Sequence, residues 1–483
     1  MSTVSRVLDA QPVLDLDAYA RAGGGTALEA ALRLGPAATM EELEASGLRG
    51  RGGAGFPTGR KWRTVFEHAS DAIQSTVVVN ASEGEPGSFK DRMLLRRNPY
   101  RILEGALVAA HTVGADSVVL CLKASFHPEL GRLRQAIDEV EAAGWIEGVG
   151  IAVVEGPAEY LYGEETALLG VVAGRAPFPR IAPPYRHGVD ELGTQPGSTA
   201  GTMMADPGPD TPAPPTLVNN AETMAHVPLV LAHGPEWYRQ LGTADSAGTV
   251  VCTVTGSTRR HGVGEFPMGT PLAEVIDTLG GGPRSGGIQA VLSGVAHPFL
   301  PASALDTPVS YEDMEQAGAG LGAAGFIVFD DTDDLVAAAE GVARFLAVES
   351  CGQCTPCKQD GLAIAEILGR LCRSEGTDHD LTDLADRVAT VTDESRCYLA
   401  TQQQRVVGSL LSLFPEALAG HRRDAGRPPV EPITIAPLRD LKGDRATVDE
   451  SHRCKQPDWT YDEKSSGQSP ADRLDQRVGT PSR

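Results

Sequence analysis

What this chain lacks narrows its function before any motif is considered. No apolar run approaches the roughly 18 residues that a membrane-crossing helix needs, so nothing is expected to span a bilayer. Positive charge is in deficit: 42 Lys and Arg stand against 64 Asp and Glu, for a formal net charge of −22. The stretch from Gly420 onward is nearly balanced, so the acidity belongs to the body of the chain. A nucleic-acid partner would want a basic face, and anionic lipid gains nothing here. The plain reading of the charge is solubility. The first residues show no basic segment followed by an apolar run, so no secretory leader is expected. Eight cysteines in a long chain without a leader read as thiols or metal ligands, not as a disulfide frame. The expected location is the cytoplasm.

In contrast, glycine is abundant, with 55 residues that imply tight turns or close backbone approach to a ligand. At 483 residues the chain should hold two to four domains, and it divides into five stretches. Residues 1–45 read as a helical lead-in. Residues 46–245 alternate apolar strand runs (Thr76–Ala81, Ser117–Leu122, Gly150–Glu155) with helical periodicity (Tyr100–Val113, Pro128–Ala143). That order favours a parallel sheet with ligands at strand ends. Residues 246–332 read as a small α+β insert. Residues 333–419 carry four apolar stripes at helical spacing, beginning at Leu335, Ile364, Leu381 and Val406, which suggests a bundle. Residues 420–483, rich in Pro, Asp and Arg, are expected to be disordered, or ordered only on a partner.

Chemistry starts at the cysteines. Cys351, Cys354 and Cys357 lie in S-C-G-Q-C-T-P-C between the first and second stripes, and Cys397 lies between the third and fourth. Two successive C-x-x-C steps plus one distant cysteine form a cluster-binding arrangement. A tetrahedral zinc site is the metal alternative, and packed core thiols are the bland one. Thioredoxin-like chemistry lacks its βαβ context. Cys121, Cys252 and Cys372 read as core, and Cys454 as a free thiol in the tail.

A glycine loop, Gly47 to Trp62, contains G-x-G-x-x-G at Gly50, Gly52 and Gly55. A helical segment precedes it instead of a strand, so it is not a Rossmann fingerprint. It can still present backbone N–H groups to a phosphate, with Arg51 and Lys61 to balance the charge. Three polar segments sit at predicted element edges: Asn80 to Gly87, Tyr160 to Thr166, and Val218 to Thr223. Singly, each reads as a cap or turn. Together they outline a nucleotide site.

G-R-G-G-A-G-F-P-T-G, N-x-x-E-x-E-P-G, Y-x-x-G-E-E-T-A, V-N-N-x-E-T and S-C-G-Q-C-T-P-C occur here in that order. This ordered set resembles the flavin-bearing, NADH-oxidising subunit of respiratory complex I, a unit also found in NAD-linked hydrogenases and formate dehydrogenases. The likeness covers roughly residues 45–415. It implies an α/β Rossmann-like flavin domain, a ubiquitin-like β-grasp insert and a four-helix iron–sulfur domain. It implies FMN held by Gly50, Gly52, Gly53, Lys61, Asn80, Glu83, Gly163, Asn219 and Asn220. NAD(H) would meet Phe56, Glu85, Tyr160, Glu164, Glu165 and Tyr185, with Glu85 and Glu165 closest to the chemistry. Cys351, Cys354, Cys357 and Cys397 would hold a [4Fe–4S] cluster. Glu165 is expected to disfavour NADPH by repelling its 2′-phosphate.

Some positions depart from the pattern. Ser82 stands where Asp is common, Gly84 where Ser or another polar residue is common, Tyr162 where Cys is frequent and Ala400 where Gly is frequent. No thioredoxin-like [2Fe–2S] domain and no further cysteine set is present, so electrons are expected to leave to another protein. That partner would be a thioredoxin-like [2Fe–2S] protein, an iron–sulfur subunit or a ferredoxin, and it could hold the chain at the inner face of the plasma membrane. The competing readings are a non-catalytic iron–sulfur scaffold that has lost its flavin and a zinc-holding structural protein.

Overall fold

The computed structural model describes residues 3–69, 75–181 and 215–456. Its first sheet has four strands, β1 (Ser75–Asn80), β2 (Ala115–Lys123), β3 (Gly150–Gly156) and β4 (Thr216–Asn220), in the order β3-β2-β1-β4. All neighbours run parallel. Parallel sheets are covered on both faces, which is why β1, β4 and most of β2 are buried runs, while β3 at the sheet edge is only partly covered. Val77 and Val79 point to one face, Val78 to the other, and all three are fully buried.

The helices around this sheet are α1 (Leu16–Arg21), α2 (Thr26–Ser46), α3 (Thr58–Glu67), α4 (Lys90–Arg97), α5 (Pro99–Val113), α6 (His127–Ala142), α7 (Glu165–Val172), α8 (Ala221–His233) and α9 (Pro235–Tyr238). The larger core joins the Val77 and Val79 face to α2, α5, α6 and α8. The Val78 face packs against Leu168 and Leu169 of α7. Helix α2 falls in the helical lead-in, and its Ala27, Ala31, Met40 and Leu43 belong to the main core. The helix kinks at Gly35 (φ 77°), just before Pro36, a ring that removes an N–H and clashes with an unbroken turn. Helix α8 gives no clean stripe because it is enclosed on all sides. It crosses α5 so closely that a Cβ on Gly105 would fall 2.0 Å from the Met224 carbonyl oxygen.

Residues 249–330 build a second sheet of five strands, β5 (Thr249–Gly256), β6 (Gly262–Pro267), β7 (Ile288–Ser293), β8 (Leu300–Pro301) and β9 (Gly325–Asp330), ordered β6-β5-β9-β7-β8. Only the central pair β5–β9 is parallel. Helix α10 (Leu272–Gly280) buries Leu272, Val275, Ile276 and Leu279 in the core of this sheet, and α11 (Tyr311–Gln316) flanks it. The apolar stripes of residues 333–419 fall on α12 (Leu335–Glu349), α13 (Thr355–Cys372), α14 (Asp378–Thr390) and α15 (Leu399–Leu413), which share one core, and α16 (Pro415–Gly420) follows. No helix among the described residues is long and apolar enough to cross a membrane.

The expectation of a disordered tail is corrected for residues 421–456. They pack against the rest and include a hairpin, β10 (Leu438–Lys442) and β11 (Arg445–Val448). Leu438 and Leu441 bury themselves against Phe89. The segment lacks periodicity because side chains elsewhere grip its backbone: Arg92 donates to the carbonyls of Leu438 (2.8 Å) and Arg439 (2.9 Å). Residues 457–483 lie outside the described residues.

Candidate functional site

In the order β3-β2-β1-β4 the chain winds outward in both directions from the junction of β1 and β4. Such a switch point opens a crevice at the carboxyl ends of the strands. Asn80 ends β1 and Asn220 ends β4, and the two are paired in register. The glycine loop lies against this edge. Gly50 N donates to Phe56 O at 2.8 Å and Tyr311 Oη donates to Gly50 O at 2.6 Å, which closes the loop. A Cβ at Gly52 would come 3.1 Å from the Asn220 Cβ. Gly53 (φ 125°) and Gly55 (φ 62°) have backbone conformations that L side chains rarely adopt. Helix α3 follows, and its Trp62 Nε1 donates to Asn219 Oδ1 at 2.8 Å, fixing that amide. Lys61 Nζ lies 2.7 Å from Glu165 Oε1, both partly exposed, and the Phe56 ring is 48% exposed.

Arg51 does something other than what the sequence suggested. Its side chain is buried and donates to the carbonyls of Thr249 (3.0 Å), Ala247 (2.9 Å) and Arg49 (3.0 Å). The guanidinium therefore pins the loop to β5 from beneath and is not available to an anion above it. Of the two cations read in this loop, only Lys61 reaches the crevice side.

The carboxylates divide by task. Glu83 accepts from the backbone N–H groups of Asp91 (3.1 Å) and Arg92 (3.2 Å) at the start of α4, and from Ser88 Oγ (2.7 Å). Glu164 caps α7, accepting from Ala167 N (2.8 Å) and Thr166 Oγ1 (2.6 Å), and burial raises it above the usual carboxylate range. Both therefore act first as helix caps. Glu85 accepts from Tyr160 Oη (2.5 Å) and Val295 N (2.6 Å), and burial raises it despite those bonds. Asn80 Nδ2 donates to Gly163 O (2.9 Å), while its Oδ1 accepts from Ser82 Oγ (2.7 Å). Ser82, a departure in the sequence, is thus the residue that orients Asn80. At Gly84 a Cβ would fall 2.9 Å from Lys123 Nζ, so the buried lysine occupies the room a side chain would need. Tyr185 lies outside the described residues.

The sequence reading missed the group beneath Asn220. Lys90 is fully buried, with its Nζ 2.8 Å from Asp91 Oδ1, 3.0 Å from Glu222 Oε2 and 3.0 Å from Asn220 Oδ1. Asn220 Nδ2 in turn donates to Asp91 Oδ2 at 2.7 Å. Burial opposes the ammonium charge, but Asp91, Glu222 and Glu83 outweigh it and hold Lys90 protonated well above the usual lysine range. The fold turns the whole of F-K-D-R, Phe89 to Arg92, inward.

The thiols gather at one end of the bundle. Cys351 follows α12, Cys354 immediately precedes α13, Cys357 lies in its first turn and Cys397 lies just before α15. All four border the bundle's apolar core. Burial, reinforced by neighbouring thiols, pushes Cys351 up to about 12 and also raises Cys357 and Cys397. Buried thiols that resist ionisation alone fit a centre whose iron would supply the compensating charge. Lys358 Nζ donates to the carbonyls of Ala347 and Ser350 at 2.8 Å each, bracing the Cys351 loop. Among the described residues, no group of three or more His, Cys, Asp or Glu side chains is arranged to hold a single metal ion.

One residue links the crevice side to the bundle. Tyr160 Oη donates to Glu85 on the crevice side and accepts from Gln402 Nε2 (2.8 Å), which lies on α15 a turn beyond Cys397. Its ring meets Phe345 of α12 edge-on at 5.2 Å.

Comparison with known proteins agrees with this layout. Residues 43–229 match the family model described as the Nuo51 FMN-binding domain, and residues 337–421 match the NADH-ubiquinone oxidoreductase-F iron-sulfur binding region. The chain is 34% identical over 427 residues to the F subunit of NADH-quinone oxidoreductase of Aquifex aeolicus (strain VF5), covering 86% of this chain and 94% of that one. It is 35% identical over 418 residues to the F subunit numbered 2 of NADH-quinone oxidoreductase of Rhizobium meliloti (strain 1021), covering 84% and 94%. Among solved structures, an NAD+-reducing [NiFe]-hydrogenase in its H2-reduced state gives a TM-score of 0.73 at 33% identity, covering 86% of this chain and 66% of that one. The hydrogenase chain is therefore longer than the shared unit. By identity and coverage together, this chain belongs to the family of NADH-quinone oxidoreductase F subunits.

Proposed function

We propose that this chain oxidises NADH in the switch-point crevice and delivers single electrons, from the thiol end of its bundle, to a redox partner protein. When bound, FMN accepts a hydride and gives up electrons singly, and a [4Fe–4S] cluster takes them one at a time. The chain's own residues supply position and electrostatics. The loop Gly50–Gly53 offers backbone to the FMN phosphate, with Lys61 as the nearby cation. Asn80, Gly163, Asn219 and Asn220 border the flavin ring and ribityl chain, each amide fixed by a partner described above. Glu83 and Glu164 set the helix ends around it. Phe56 offers an exposed ring face to the dinucleotide, and Glu85, Tyr160 and Glu165 line its nicotinamide and ribose side. Cys351, Cys354, Cys357 and Cys397 hold the cluster. The observation that carries this reading is Tyr160, hydrogen-bonded at once to the crevice carboxylate and to the helix that follows Cys397.

The mixed sheet of residues 249–330, with α10 across it, is read as the β-grasp unit. The partner is a thioredoxin-like [2Fe–2S] protein, an iron–sulfur subunit or a ferredoxin, met in the cytoplasm or at the inner face of the plasma membrane. Anaerobic purification followed by absorption spectra with and without NADH tests the reading. Flavin and iron–sulfur bands should both bleach with NADH. A preparation that holds iron but no flavin after reconstitution with FMN would favour the scaffold reading instead.

Cofactor choice gives a second expectation. Glu165 repels a 2′-phosphate and also engages Lys61, the cation such a phosphate would seek. In Glu165→Ala the kcat/KM ratio of NADPH to NADH should rise about tenfold, the equivalent of ~1.4 kcal/mol. An unchanged ratio removes Glu165 from this role.

A further inference from the structure

Residues 422–456 lie beyond both family matches, yet they contact all three structural units. Ile433 N donates to Ala337 O of α12 at 3.1 Å. At Gly341, one turn on, a Cβ would fall 1.9 Å from Ile433 O, so the segment lies on α12 where that helix has no side chain. Arg92 and Arg96 of α4 then hold β10, Arg96 through Asp440 at 2.9 Å. His261 of the second sheet region donates through its backbone N–H to Asp444 O at 2.7 Å. The chain returns to α12, where Arg344 Nη2 donates to the carbonyls of Arg453 (3.0 Å) and Lys455 (2.9 Å).

This return ends beside the site. The Lys455 ammonium bonds to Glu349 Oε1, and both side chains are largely buried. The other oxygen of Glu349 accepts from Tyr160 N at 2.9 Å. His452 lies against Phe345, the ring that also packs on Tyr160. The last described turn of the segment thus touches the two α12 residues that fix Tyr160.

We propose that residues 421–456 form a clasp in which Lys455 is a positioning residue for Tyr160, acting through Glu349. The proposal rests on the reading of Tyr160 as a residue of the nicotinamide side. A buried carboxylate must be paired. Without Lys455, Glu349 turns toward His452, whose Nδ1 is 3.6 Å from the same oxygen, and its hold on Tyr160 N loosens.

The test uses the full chain with its cofactors, assayed for NADH oxidation with ferricyanide as acceptor. In Lys455→Met the KM for NADH should rise about threefold to tenfold while kcat stays within about twofold, and Lys455→Arg should restore it. A lowered melting temperature with an unmoved KM would mean that the clasp is structural only, and the proposal falls. If Lys455→Met fails to fold, Glu349→Gln replaces it: with the ion pair lost, Lys455 no longer holds the side chain toward Tyr160 N, and the same KM rise is expected. An unchanged KM there overturns the proposal equally. Tyr160→Phe separates the two layers. If it leaves KM unchanged, the reading of Tyr160 is wrong and the clasp proposal goes with it. If it raises KM while Lys455→Met does not, the clasp proposal alone fails.

Discussion

A Cys397→Ala variant is expected to purify with its flavin but without its iron. The other three thiols stay on the α12–α13 turn, and a cluster held by all four would lose its anchor on the α15 side. Changing a residue that merely supports a metal ligand costs 10–100-fold in affinity or activity, so loss of a ligand should cost about 100-fold or more in cluster retention. Electron delivery to a protein partner should fall by a similar factor. Ferricyanide reduction, which can draw on the flavin directly, should persist. Iron and sulfide analysis with a low-temperature paramagnetic resonance spectrum of the reduced protein reads the result. An intact cluster signal would remove Cys397 from the ligand set, and stoichiometric zinc would revive the structural-metal reading.

Lys90→Met should be nearly as damaging, through stability. It removes the cation at the centre of a buried group and leaves Asp91 and Glu222 without the charge that both engage. Breaking a buried ion pair from one side typically costs ~3–5 kcal/mol, a large part of the 5–15 kcal/mol that holds a typical domain together. The same substitution frees Asn220 Oδ1 from one of its donors, so flavin should dissociate from molecules that remain folded. Chemical denaturation and retained flavin per folded chain measure the two effects separately. Adding Glu222→Gln to Lys90→Met should recover part of the stability, because it removes one of the stranded charges. If the double variant is no better than the single one, Glu222 is not the charge that Lys90 neutralises.

These two sites also show how differently sequence reveals structure. The thiols and the loop glycines were legible because their chemistry is local: spacing fixes which thiols share a turn, and glycine marks positions such as Gly55 whose φ excludes other residues. The parallel sheet was legible in outline, since apolar strand runs separated by helical periodicity favour one. Direction was not legible. Arg51 sits among glycines and reads as a phosphate cation, but its side chain turns down to the carbonyls of Ala247 and Thr249, residues nearly 200 positions away. Lys90 and Asp91 carry no local signal of burial, because a charge run is usually solvated. Glu222, the carboxylate that pairs with Lys90, comes from α8, far along the chain. The tail escaped for a related reason. Its order comes from carbonyls held by arginines elsewhere, and no local pattern records such bonds. Glu83 and Glu164 stand among the residues the resemblance places at the ligands, and each also caps a helix, a role no local pattern separates from the other.

The contact at Gly341 has a consequence for descent. A side chain on α12 at that position and a chain lying across it cannot coexist, because the added carbon would sit 1.9 Å from a backbone oxygen, far inside van der Waals contact. Glycine there and the segment that crosses it should therefore be inherited or lost as a pair. Among relatives, those that end with the bundle are free to carry alanine or larger at this place, and those that continue as this chain does are not.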